Sequence, residues 1–458
     1  MARELPGFAL AVRDWIDAVA RRSPARLTLL VFLGVIAIET VLLSLPIATA
    51  SGERAPFVDA LFMATSAVCV TGLVTTDVAT YWSEFGHVVI MFGIMVGGLG
   101  VMTLASILGL AVSRRVGLTT RLLTAAETKL TRLGEVGSLV RAVIGANLTL
   151  TFGLSVVFVP RFLAEGLGVR ESLWQGWFMA VSVFNNAGIL ILDGGLQPYA
   201  SDWWMCLPII VGTFVGAIGF PVILSVASHW RQPRRWSLHA KLTITTSLGL
   251  WVLGSVLIGA FEWNNSESFG TLPAHGKLLA SMVAGMTPRS SGFSTVDIAS
   301  MGEATWFMQD ALMFIGGGSA STGGGIKVTT FAVMLLAIVA EARGDRDIEA
   351  FGRRVDAGVV RLSIAVAFIG ATFVGLAALA LLVLTDLHLD VILFEVISAF
   401  ATCGLSTGIT PTLPDEAKYV LIALMFAGRT GTMTLAAALA LRNRRRVIRL
   451  PEERPIIG

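Results

Sequence analysis

The sequence predicts an all-α polytopic membrane protein, with four tandem helix–pore loop–helix repeats around a pseudo-four-fold central pore. Eight transmembrane helices plus four re-entrant half-helices make up that plan. Three observations predict it. Hydrophobic residues are 55% of the 458-residue chain and charged residues 14%, with a mean hydropathy of +0.77, whereas a soluble domain carries about a quarter charged residues. Several apolar runs exceed the ~18 residues that mark a bilayer-crossing helix. Finally, four short apolar segments close on the same small–glycine–apolar signature at Gly72, Gly188, Gly292 and Gly404, which lie 116, 104 and 112 residues apart.

In chain order, residues 1–26 are charged and amphipathic and lack an apolar core followed by a small-residue cleavage site, so they are expected as a retained cytoplasmic segment and not a signal peptide. The long apolar segments run over about 27–49, 82–113, 137–163, 203–229, 239–261, 304–340, 358–386 and 416–442. They fall into pairs, giving pore repeats over 27–113, 137–229, 239–340 and 358–442 and a cytoplasmic tail over 443–458. Between the members of each pair lies an apolar stretch of about 12–15 residues, too short to span and suited to a re-entrant half-helix. The likeness of the four stretches extends upstream. Ten residues before the glycine stand Phe62, Phe178, Met282 and Phe394, and six before it Ser66, Ser182, Met286 and Ser398. Those positions are four apart and share one helix face.

Charge sets the orientation. With the N-terminus in the cytoplasm, 26 of the 34 Lys and Arg fall on the cytoplasmic side, in 1–26, 114–141, 230–241, 343–361 and 442–458. Six fall outside (Arg54, Arg161, Arg170, Lys277, Arg289 and Lys418), and Lys327 and Arg429 lie within membrane segments. The positive-inside rule then makes both termini cytoplasmic. The same basic loops are candidate docking surfaces or plain topology signals. No basic stripe interleaved with aromatics points to nucleic acid. Three cysteines without CxxC spacing and five scattered histidines offer neither a disulfide scaffold nor a metal site.

An ion stripped of water needs compensating oxygen dipoles. Backbone carbonyls supply them where the chain takes unusual dihedrals and no side chain crowds the axis, which glycine permits. One such glycine per repeat meets that need around a ring. A second special stretch, Gly316, Gly317, Gly318, Ser319, Ala320, Ser321, Thr322, Gly323, Gly324, Gly325, Ile326 and Lys327, interrupts the sixth apolar segment with six glycines. At about 1 kcal/mol each relative to alanine they oppose a continuous helix, and irregular backbone at membrane depth must line a cavity. A mere helix kink is one rival reading and a phosphate loop another, but for the latter Gly324 and Gly325 stand where its Lys and Ser/Thr belong, and no strand precedes it. Charges at this depth are functional or paired. Glu39 and Glu395 each stay open between a packing partner and an ion-facing role.

Val70-Thr71-Gly72-Leu73, Phe184-Asn185-Asn186-Ala187-Gly188, Thr287-Pro288-Arg289-Ser290-Ser291-Gly292-Phe293 and Phe400-Ala401-Thr402-Cys403-Gly404-Leu405-Ser406-Thr407-Gly408 resemble the Trk/Ktr/HKT superfamily of potassium transporters. So do the 316–327 run and Ala427-Gly428-Arg429-Thr430-Gly431, and the pattern is most like the Ktr-type membrane (B) subunit. The resemblance implies a selectivity filter of backbone oxygens at Val70, Thr71, Gly72, Asn186, Ala187, Gly188, Ser290, Ser291, Gly292, Thr402, Cys403 and Gly404. Each segment is degenerate beside Thr-Val-Gly-Tyr-Gly, which implies fewer ion sites than in a tetrameric potassium channel. Glycine at 72 implies potassium, since a serine there goes with sodium; the alternative is a sodium-conducting or weakly selective relative.

The resemblance further implies a gate at 316–327 stabilised by Arg429 and K+ as the transported ion, with Na+ a candidate coupling or activating ion. It implies no nucleotide on this chain itself, a homodimer in the cell membrane among its lipids, and a cytoplasmic ring of nucleotide-binding (Ktr A-type) regulatory subunits. An integral-membrane enzyme would show an interfacial His, Asp or Glu cluster, which the sequence lacks, so no enzyme is expected. A receptor or scaffold would leave the fourfold glycine pattern unexplained.

Overall fold

The structure, a computed structural model, describes residues 24–113 and 134–431. Most of the 1–26 segment, residues 114–133 of the first basic loop, the end of the fourth repeat beyond 431 and the 443–458 tail lie outside the described residues. The chain runs through α1 (Pro24–Leu43), α2 (Phe57–Cys69), α3 (Glu84–Ser113), α4 (Gly134–Ala164), α5 (Val169–Asn185), α6 (Trp203–Ile218) and α7 (Phe220–Ser228). It continues through α8 (Leu238–Glu262), α9 (Ala274–Met286), α10 (Glu303–Phe314) and α11 (Val328–Arg343). After the antiparallel hairpin β1 (Glu349–Ala350) and β2 (Arg353–Arg354) come α12 (Ala357–Leu384), α13 (Leu389–Phe400) and α14 (Asp415–Phe426), which ends in a π-turn at Ala427–Gly431.

Among the described residues, three helices are long and apolar enough to cross a membrane: Val140–Ala164 within α4, α8 and α12. Their large apolar side chains, among them Phe152, Val252, Phe368 and Leu376, point outward, as expected where lipid replaces water. Polar side chains cap the helix starts. Asp202 accepts from the Trp204 and Met205 amides at 2.8 and 3.3 Å, Ser237 from Ala240 at 3.1 Å and Asp356 from Gly358 at 2.7 Å. Each such cap is worth about 1 kcal/mol.

The segment read as one apolar run over 203–229 is two helices. α6 and α7 meet at Gly219 with a bend of 99°. Gly219 has φ +89°, and a Cβ there would sit 2.5 Å from the Ser319 carbonyl oxygen. Pro221 lies in the first turn of α7, where a missing N–H costs nothing. The run over 304–340 is likewise divided, into α10 and α11, by residues 315–327.

The short helices α2, α5, α9 and α13 hold the centre. α2 packs on α1 and α3, α5 on α4, α9 on α8, and α13 on α10 and α12. Each is also met by the helix that follows the preceding motif, α3 on α5, α6 on α9, α10 on α13, and α14 back on α2. Lys418 at the start of α14 donates to Asp59 in the first turn of α2 at 3.1 Å, and Glu84 at the start of α3 accepts from Arg170 in the first turn of α5 at 3.1 Å. Phe62, Phe178 and Phe394, ten residues before their glycines, are buried in one continuous core cluster. Lipid tails are as apolar as these rings, so the gain here is tight packing and not escape from water. Small residues permit it: Gly97, Gly216 and Gly428 press against the carbonyls of Val68, Phe184 and Phe400 near the ends of α2, α5 and α13.

Candidate functional site

Each short helix ends three or more residues before its glycine, and the backbone then takes a repeated form. The residues two before the glycines, Val70, Asn186, Ser290 and Thr402, have φ of 55°, 59°, 66° and 46°. Gly72, Gly188, Gly292 and Gly404 have φ of 97°, 66°, 68° and 94°, while the intervening Thr71, Ala187, Ser291 and Cys403 are not left-handed. Positive φ on either side of a residue without it is thus repeated in all four segments.

The four segments close a ring. A Cβ at Gly72 would lie 2.5 Å from the Ala187 carbonyl oxygen, one at Gly188 2.7 Å from Ser291 O, and one at Gly292 2.6 Å from Cys403 O; one at Gly404 would strike Thr71 O. Every glycine thus abuts the carbonyl just before the glycine of a neighbouring segment, and the last returns to the first. A side chain at any of the four would displace a carbonyl of its neighbour. Val70 to Gly72 are buried, and in the other three segments the two residues before the glycine are buried while Gly188, Gly292 and Gly404 are half-buried. The α2, α5, α9 and α13 C-termini converge on the same place, and a helix C-terminus carries a partial charge of roughly −0.5. A ring of backbone carbonyls at the ends of four short helices suits a dehydrated monovalent cation more than an anion.

The serines six before the glycines explain their recurrence. The Ser66 and Ser398 hydroxyls accept from the Gly72 and Gly404 amides, both at 3.1 Å, and Ser182 donates to Ile189 O at 2.6 Å. Met286 gives the third segment no such bond. There Arg289, placed outside by charge counting, is fully buried and donates to Ser247 O at 2.7 Å, its Nε and Nη2 without a partner among the described residues. Its burial is invisible in sequence, where it reads as one more loop cation.

The 316–327 loop lies against the ring segments, Gly323 by Ser290 and Gly324 by Thr402, and is tied to its surroundings at several points. Gly316 donates to Ile326 O at 2.9 Å and Val328 to Gly317 O at 3.0 Å, closing its neck. Gly318 donates to Ala217 O at 2.7 Å, and Phe220 donates to Ala320 O at 3.2 Å, docking it in the α6–α7 bend. Lys327 turns its ammonium back onto Gly323 O at 2.6 Å. Arg429 reaches in from the π-turn, donating to Thr322 O and, at 3.5 Å, to Gly97 O.

Two carboxylates take different places. Glu395 is buried, accepting from Ser406 at 2.9 and 3.1 Å and from Thr410, so it staples the stretch after Gly404. Glu39 is pressed on Gly93 of α3, with Oε1 unpartnered among the described residues.

Residues 31–445 match the family model described as "TrkH: Cation transport protein". The chain is 35% identical to "Ktr system potassium uptake protein B" of Bacillus subtilis, over 97% of this chain and 99% of that one. It is 32% identical to "Potassium/sodium uptake protein NtpJ" of Enterococcus hirae, over 96% and 98%. Among solved structures, the potassium transporter TrkH from Vibrio parahaemolyticus superposes with a TM-score of 0.70 at 20% identity, covering 88% of this chain and 83% of that one, a likeness of fold.

Proposed function

The chain belongs to the TrkH family of cation transport proteins, not an enzyme family, and we propose that it takes up potassium across the cell membrane as the ion-translocating subunit of a Ktr/Trk-type system. The observation that carries this reading is the closed ring, in which each glycine abuts the neighbouring segment's carbonyl. Val70 to Gly72, Asn186 to Gly188, Ser290 to Gly292 and Thr402 to Gly404 then form the filter of four pore repeats, crossed by eight helices. Potassium enters from the outer side, exchanges water for these carbonyls, and passes a gate at 316–327. The driving force is the membrane potential, about 2.3 kcal/mol per charge per 100 mV.

Arg429 and Lys327 both donate to gate-loop carbonyls, which supports their holding the loop shut. The potassium-uptake names of the relatives at 35% and 34% identity support the cargo, and their "system" wording supports a separate subunit. That partner is a cytoplasmic nucleotide-binding ring on a homodimer, both termini facing it. A sodium-permeable mode is the second reading, favoured by the potassium/sodium name of one relative.

The test is growth at low external potassium of cells lacking their own uptake systems. Expression with a regulatory subunit restores growth. Failure both with and without that subunit, with the protein present in the membrane, refutes the proposal. Restored growth with equal uptake of sodium selects the second reading.

A further inference from the structure

We infer that the 316–327 loop is also the floor of the glycine ring, and that the Thr322 hydroxyl, acting through Asn186, sets discrimination between cations and not only their flux. The inference rests on the potassium-uptake reading above. Residues two before the ring glycines line one side of the loop's contacts. In three of the four segments that residue meets the loop, and three consecutive loop residues meet three consecutive segments. The Asn186 amide, with its nitrogen toward the Val183 and Thr213 carbonyls at 3.1 and 3.3 Å, turns its oxygen to the Ala217 amide at 3.3 Å and the Thr322 hydroxyl at 3.2 Å. A Cβ built on Gly323 would lie 3.2 Å from the Ser290 Cβ, and one on Gly324 would strike the Thr402 hydroxyl. Only Val70 stands apart. It packs on Gly97, whose carbonyl takes the second Arg429 bond.

Thr322 joins these supports. Its hydroxyl lies between the Gly216 carbonyl at 3.1 Å and the Asn186 amide oxygen, its N–H faces Gly216 O at 3.4 Å, and its carbonyl accepts from Arg429. Asn186 in turn is covalently next to Ala187, whose carbonyl abuts Gly72. A change at Thr322 therefore reaches a ring oxygen through two residues. Selectivity is a difference between two cations in the free energy of the same oxygen set, so loosening one quarter of that set alters the ratio as well as the rate.

The test is paired potassium and sodium uptake by the full-length protein in proteoliposomes. Thr322→Val keeps the shape and removes the hydroxyl. Its potassium-to-sodium ratio falls roughly 2- to 10-fold, the factor one hydrogen bond is worth. Thr322→Ser retains the ratio. Asn186→Gly, which removes the amide where a left-handed φ suits glycine, lowers the ratio at least as far, and the double variant falls by less than the two single effects combined, because both variants remove the shared Thr322–Asn186 contact. An unchanged ratio in Asn186→Gly overturns the inference, even if Thr322→Val fails to fold, and so does an additive double variant. A wild-type protein that carries neither ion overturns the transport reading instead.

Discussion

Serine in place of Gly72 puts a Cβ where the ring has no room. Gly72 has φ +97°, and the new Cβ would lie 2.5 Å from Ala187 O, against the 3.4 Å of ordinary contact. Either the Ala187 carbonyl retreats by about 0.9 Å or the first segment does, and both are ring oxygens or their carriers. A left-handed backbone adds about 1–2 kcal/mol for a residue with a side chain. If about 1–3 kcal/mol of that disturbance falls on the dehydrated cation, the potassium preference drops roughly 5- to 150-fold. Gly408→Ala is the matched control. It has a similar φ of +90° but nothing within 4 Å of the new Cβ, so it shares the backbone cost without the crowding. Competitive uptake of potassium and sodium in proteoliposomes reads the ratio for both. Gly72→Ser and Gly72→Ala lose preference together, since they share the Cβ, while Gly408→Ala keeps it. Equal losses in Gly72→Ala and Gly408→Ala, or an unchanged ratio in Gly72→Ser, would refute the crowding argument and with it the assignment of the ring to ion selection.

Ser66→Ala and Ser398→Ala each remove the acceptor of a ring-glycine amide, worth about 1 kcal/mol; the double variant is expected to raise the half-saturating potassium concentration several-fold, measured by uptake across a potassium series. Glu262→Gln tests a part of the fold away from the ring. Its carboxylate accepts from Ser268 at 2.5 Å, Asn265 at 2.7 Å, Gly302 N at 2.9 Å and Thr305. Losing the charge in that cluster costs about 1.5–3 kcal/mol, seen as a fall of several degrees in the melting temperature of the detergent-solubilised protein with an unchanged potassium-to-sodium ratio.

The parts of this architecture that the sequence announces are those where the backbone itself is constrained. A left-handed φ beside a crowded neighbour admits only glycine, so Gly72, Gly188, Gly292 and Gly404 recur at near-equal spacing, and the six glycines of 316–327 mark a loop at membrane depth. Serines at minus six recur for a related reason, because their hydroxyls bond backbone. What hydropathy hides are features that change direction without changing composition. Gly219 sits inside an unbroken apolar run, so no window of hydropathy detects the 99° bend. The available signal is local: a glycine directly before a helix restart with Pro221 in its first turn. Arg289 is hidden in the opposite way. A cation in a loop reads as solvated whichever side it faces, and only the packing of α8 against α9 turns it onto Ser247 O. Both features serve the same end. The bend opens Ala217 O and the Phe220 amide to receive the 316–327 loop, and Arg289 anchors the backbone of the one ring segment whose minus-six residue, Met286, has no hydroxyl to do so.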